Sequence, residues 1–371
     1  MKKIFHLKFL LLLSITLVAC NTNGNVEQGT QPIVKERPEL KVKDVKDVDV
    51  VNTHGGIEGL ERMQGFYENL QKGVASDLRI VHYTIEGAPI VTDLTFDGES
   101  LEVEHDSTRD TYGSGEISTN SCSTMIREAN PTNISYIAID CKGIPYAMDQ
   151  ILKVSYDLSQ QDFFEFELKY GVKLENEINT LKNTSKKEIN TNETQVIADF
   201  EMPESVMQEV YKRLVLANYL GEKELMASCK SEDAMNYYMK VYINGGDQEY
   251  RWTSCDQSWD AVKLTEIVQF IIEQSEINQS ENPVATVQGY VLEIKDDRLL
   301  IGEELNRLEY EWIKEDLKQT NLDSYVFDFT FLEGVHTEAF KLGDKVHATI
   351  DGSVKGSKPG AANVKEIKKM E

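Results

Sequence analysis

Residues 77–105 read DLRIVHYTIEGAPIVTDLTFDGESLEVEH. Apolar and polar residues alternate through 77–85, 89–96 and 100–105, the period of strands with one buried face. Glu86-Gly87-Ala88-Pro89 and Asp97-Gly98-Glu99 supply turns between them. Upstream, Ile57, Leu60, Phe66, Tyr67 and Leu70 form an apolar stripe at helical spacing, ended by Gly73. Downstream, Tyr136 to Cys141 supplies another strand, and strand-like residues recur near 151–172. A helix packed on an antiparallel sheet, an α+β domain over residues 51–175, follows from this pattern.

Residues 176–196, rich in Asn, Thr, Lys and Glu, read as a linker. A middle α+β domain spans 197–277. Val206, Val210, Leu214 and Ala217 share one helix face. Two strands flank Asn244-Gly245-Gly246-Asp247, whose residues suit positive φ, and a mostly buried helix runs from Trp259 to Ile272. Asn282-Pro283 opens a last domain, 284–371. Its strands at 287–294, 299–302, 325–332 and 345–350, with a helix lined by Leu305, Leu308, Trp312, Ile313 and Leu317, suit a small OB-like β-barrel.

The first 20 residues have the build of a secretory leader. Lys2, Lys3 and Lys8 precede the apolar run Phe9–Ala19, which falls short of the ~20 residues a spanning helix needs. Leu17-Val18-Ala19-Cys20 looks like a bacterial lipobox, so the mature chain is expected to begin at an acylated Cys20. Each buried methylene contributes about 0.8 kcal/mol, and two or more acyl chains anchor stably. Residues 21–50, with Pro32 and Pro38, read as a flexible tether holding the domains off the membrane.

The chain has 371 residues, 40% of them hydrophobic, enough for two or three domains. Removing three leader lysines from the 39 Lys and Arg leaves 36 against 63 Asp and Glu, a net charge of −27. Such a surface disfavours nucleic acid and anionic lipid. It favours an envelope protein, a peptide, a cation or a neutral molecule, beyond the lipid held through Cys20. With Cys20 lipidated, four cysteines remain in an oxidising compartment, and pairing nearest neighbours joins Cys122 to Cys141 and Cys229 to Cys255.

His54-Gly55-Gly56-Ile57, Arg79 through Ile90, and Asp106 through Gly113 resemble a lipoprotein family called domain of unknown function 4362, over about residues 50–142. The resemblance implies a lipoprotein of Gram-positive, largely spore-forming bacteria and carries no activity. Gly289-Tyr290-Val291, Phe340 through Val346, and Ser357-Lys358-Pro359 resemble the family called domain of unknown function 3221, also found in secreted or lipid-anchored proteins. It implies fold and location only.

Three constellations invite a functional reading. His54, His82 and His105 are the histidines of the first domain, which invites a zinc reading, and alternation puts His82 and His105 on one inward sheet face, as core residues, as metal ligands or as acid–base groups with Glu86, Asp106 and Asp110. Asp106, Asp110 and Glu116 have oxygen-rich spacing that could hold calcium, against the alternative of a turn bonded to its own backbone. Tyr238, Tyr242, Tyr250 and Trp252 are read as one face of the middle hairpin, a binding strip or core beneath a helix.

No Gly-x-Ser-x-Gly elbow, phosphate loop, dinucleotide fingerprint or His-Glu-x-x-His run occurs. The expectation is a non-catalytic binding or interaction protein at the cell envelope. A hydrolase or metal-dependent enzyme with a site in the first domain, and a structural spacer, are the alternatives.

Overall fold

The computed structural model describes residues 40–53, 56–113, 115–190, 193–277, 285–317, 322–356 and 358–370. The chain divides into two units, Met1–Ile33 and Val34–Glu371, and the described residues lie in the second. Cys20 and most of residues 21–50 fall outside them.

The alternating stretch forms the expected strands. The chain enters through β1 (Leu40–Val42), β2 (Val45–Val48), β3 (Val50–Thr53), β4 (Gly56–Glu58) and α1 (Leu60–Gln71), then β5 (Ser76–Tyr83), β6 (Pro89–Phe96), β7 (Leu101–Asp106) and β8 (Ile117–Cys122). The sheet order is β4-β3-β5-β6-β7-β8, antiparallel except for the β3–β5 pair. Helix α1 buries Met63, Phe66 and Leu70, while Ile57 sits on β4 rather than in the helix. Gly59 begins α1 at φ 79, where a Cβ would collide with the Asp49 carbonyl, so only glycine serves there.

The expected tether needs correction at its end. Residues 40–48 form the β1–β2 hairpin, and Leu40, Val42 and Val48 are buried with Val81 and Val91 on the outer face of the first sheet. The apolar residues alternate with Lys and Asp, whose exposed side chains made the segment read as linker.

A three-stranded sheet follows, in the order β11-β10-β9, from β9 (Thr124–Ala129), β10 (Asn133–Ile139) and β11 (Met148–Ser155). Then come β12 (Phe164–Gly171), β13 (Asn176–Asn179), β14 (Thr184–Asn190), β15 (Glu193–Ala198), α2 (Glu204–Leu216), β16 (Asn236–Ile243), β17 (Gly246–Thr253) and α3 (Trp259–Ile277). Their six strands make one sheet, β15-β14-β13-β12-β16-β17. Residues 176–196 are therefore strands, not a linker. Their side chains are polar because β14 and β15 are a largely exposed edge, where lysines also discourage pairing with other chains. The boundary at 175 falls inside this sheet, since Phe164–Gly171 pairs along its length with Asn236–Ile243. One core runs from Val50 to Ile271 across both expected domains.

The last segment contains β18 (Thr286–Lys295), β19 (Arg298–Glu303), α4 (Arg307–Asp316), β20 (Phe329–Glu333), β21 (Lys345–Ile350) and β22 (Gly360–Lys369). They pair in the order β18-β19-β20-β22-β21, β18 pairs also with β21, and β20–β22 is the parallel pair. Asn306 caps α4 with a reciprocal bond from Glu309. Tyr310 and Ile313 of α4 cover Tyr290, Leu300 and Phe329, whereas Trp312, expected on the packed face, is 42% exposed. The protein is thus mostly β-sheet, with four α-helices among the described residues.

Candidate functional site

Both expected disulfides are present, Cys122–Cys141 and Cys229–Cys255. The first clips the end of β8 to the second residue past β10, joining two sheets. The second fastens the irregular segment between α2 and β16 to the turn before α3.

His82 and His105 do share the inward face. Asn52 Nδ2 donates to His82 Nδ1 at 3.2 Å, and the ring also bonds the backbone of Ile151. Burial, reinforced by His105, pulls His82 down to about 4, so it is neutral at pH 7. His105 Nε2 lies 2.9 Å from Asp149 Oδ2, and its Nδ1 lies 3.0 Å from Thr92 Oγ1. Burial pushes the Asp149 carboxyl up, but its bonds to His105 and Asn120 outweigh that and hold it below its ordinary value. Asp149 is the acidic partner that sequence reading missed, being 44 residues from His105 and on the opposing sheet.

The other candidates of the first domain do not join this group. Glu86 is exposed in the turn between β5 and β6. Asp106 pairs in register with Val91, on the face opposite His105. Its carboxylate accepts from the Thr108 amide at 2.9 Å and from Arg109, while Asp110 accepts from the Tyr112 amide at 3.0 Å. Glu116 is exposed. These acids are turned into their own loop, and no group of three or more metal-binding side chains occurs among the described residues. His54 lies outside the described residues.

The aromatic strip also needs correction. The hairpin register places Tyr237 opposite Trp252 and Tyr238 opposite Arg251. Tyr250 and Trp252 are buried at 4% and 1% exposure with Tyr237, whereas Tyr238 and Tyr242 occupy the other face beside Lys169, Arg251 and Lys240. The Asn244-Gly245 turn sets this register, with both residues at positive φ.

A different site emerges where β9, β18, α4 and the turn 341–345 meet. The contact between the N-terminal body and the C-terminal segment is polar and buried. Gln288 Nε2 bonds Asn130 Oδ1 at 2.9 Å, Asn130 Nδ2 bonds the Glu304 carbonyl at 2.8 Å, and Asn306 Nδ2 reaches Ser135 Oγ at 3.1 Å. Such groups require mutual satisfaction to be buried at all. Burial pushes the Glu304 carboxyl at this contact up to about 7.

Beside that contact opens a cleft of about 630 Å³. Arg127, Arg307, Lys314, Lys341 and Lys345 line it with Glu128, Glu311 and Asp344, giving an excess of two positive charges in a chain of net charge −24. The three acids are engaged already. Glu128 accepts from Tyr290 Oη and the Arg307 amide; Glu311 pairs with Arg307 at 3.0 Å and with Lys314; Asp344 pairs with Lys369 at 2.7 Å. Tyr290 and Tyr310 stack at 5.0 Å to form one wall. Gly343, at φ 85, lets the turn lie against Tyr310 Oη, and its amide bonds the Val291 carbonyl at 2.9 Å. Lys345 is nearly buried at the floor, with burial drawing its ammonium below the usual lysine value against the pull of Glu128.

None of these cleft residues was singled out as a site from sequence. Tyr290 and Lys341–Lys345 stood out only in family-like motifs, because their charges gain meaning by meeting β9 in space.

Residues 47–137 match the family model described as a domain of unknown function (DUF4362), and residues 288–370 match the one described as a protein of unknown function (DUF3221). No curated protein matches the chain. A crystal structure of a yobA protein from Bacillus subtilis is similar at 16% identity, covering 24% of this chain and 99% of that chain, with a TM-score of 0.19.

Proposed function

We propose that this is a lipid-anchored, extracytoplasmic, non-catalytic binding protein that recognises its ligand in the cleft between the N-terminal body and the C-terminal segment. The location rests on the leader and on Cys20. The binding reading rests on one observation: a cleft with surplus cations in an otherwise acidic chain. Local charge that opposes the global charge is a feature a solvated surface does not need.

The C-terminal strands support an OB-like barrel, since their order and single parallel pair fit that fold. In such barrels the second and third strands usually carry the ligand. Here α4 covers part of that outer face, which moves recognition to the edge where Tyr290 and Tyr310 stack.

The dispersal of Glu86, Asp106 and Asp110 away from His82 and His105 weighs against an enzyme in the first domain. A plain spacer has no use for the charged cleft. Feeding host cells an alkyne fatty acid tests the location: the label should enter the wild-type chain and be absent from Cys20→Ser, which should appear in the medium. An unlabelled, cell-retained wild-type chain would overturn it.

A further inference from the structure

We infer that the cleft takes a small organic or inorganic anion, one bearing a carboxylate or phosphate group; this rests on the binding reading above. Lys345 carries the inference furthest. Its ammonium has three donors, is 12% exposed, and meets Glu128 Oε1 only at 3.5 Å, with the Tyr290 ring 5.2 Å away. Glu128 is meanwhile occupied by Tyr290 Oη and the Arg307 amide. The floor therefore presents a positive group with spare hydrogen-bonding capacity. Among the described residues, Arg127 and Lys341 form no ion pair, and both line the same cleft. An oxyanion seated on Lys345 satisfies the spare donors, and its remaining charge meets the two rim cations. A cation would meet three carboxylates that are already engaged.

The volume suits a metabolite-sized molecule. The test is calorimetric titration of the mature chain with inorganic phosphate, succinate and citrate, with putrescine and glucose as cationic and neutral probes. At least one anion should bind with a Kd below ~1 mM, more weakly at high salt. Lys341→Gln at the rim should weaken it by about 10-fold, and Lys345→Met should abolish it. Arg298→Gln, away from the cleft, should leave it unchanged. Because Lys345→Met could disturb packing, the rim variant decides alone where the two disagree in circular dichroism. The inference is overturned if no anion binds up to ~10 mM, or if Lys341→Gln leaves anion binding intact. Binding of putrescine or glucose alone, lost in the cleft variants, would overturn the anion and spare the cleft.

Discussion

Trp252 lies flat against Tyr237, ring centroids 5.1 Å apart and planes 23° apart, with its indole nitrogen donating to Thr265 Oγ1 at 2.9 Å. This pair anchors the middle sheet to α3. Trp252→Ala should cost about 3–5 kcal/mol, the usual price of deleting a large buried ring. Tyr238→Ala, on the opposite face, should cost roughly 1 kcal/mol or less. Urea unfolding of both variants checks the face assignment, and equal losses would refute it.

His82 makes the fold acid-sensitive. Its folded pKa, about 4, lies below the ordinary value of 6.5, so between those limits the unfolded chain binds the extra proton. Stability should fall as pH drops from 6.5 towards 4, by at most roughly 3.5 kcal/mol at about 1.4 kcal/mol per pKa unit. His82→Gln should flatten that part of a Tm-against-pH curve.

Glu304 acts with the opposite sign. Its folded pKa, about 7, lies above the ordinary 4.5, so its contribution is complete below pH 4.5 and is lost as pH rises through 7. Glu304→Gln should therefore raise stability at pH 8 by roughly 1–2 kcal/mol, after discounting for partial solvent screening. At pH 4.5 it should change little. Thermal melts at the two pH values check this, and a destabilised variant at pH 8 would contradict the buried setting of the carboxyl.

Removing the Cys229–Cys255 bond by a double Cys→Ser change should cost about 2–4 kcal/mol. Without it, the irregular segment before β16 loses its covalent hold on the β17–α3 turn. Non-reducing peptide mapping should return only this bond and Cys122–Cys141.

What sequence could reveal followed from how local the cause was. Residues 77–105 declare three strands because alternation is a property of neighbours, and the Asn244-Gly245 turn declares its hairpin likewise. The paired cysteines needed only compartment and proximity. Residues 40–48 were misread because short alternation among Lys and Asp resembles a polar tether, although Val48 is 1% exposed. The β12–β16 pairing was hidden because strand partners 65 or more positions apart leave no local mark. The face of Tyr238 turned on a one-residue register, which inverts every side chain in the strand. The cleft was least legible of all, since Glu128 and Lys345 stand 217 residues apart.

The central claim is that recognition occurs in that cleft. Hydrogen exchange of the mature chain, measured with and without the small-molecule fraction extracted from host cell envelopes, tests it without naming the ligand. Slower exchange should appear in residues 126–128 and 341–345. Slowing confined to the 236–253 hairpin, or none anywhere, would contradict the account.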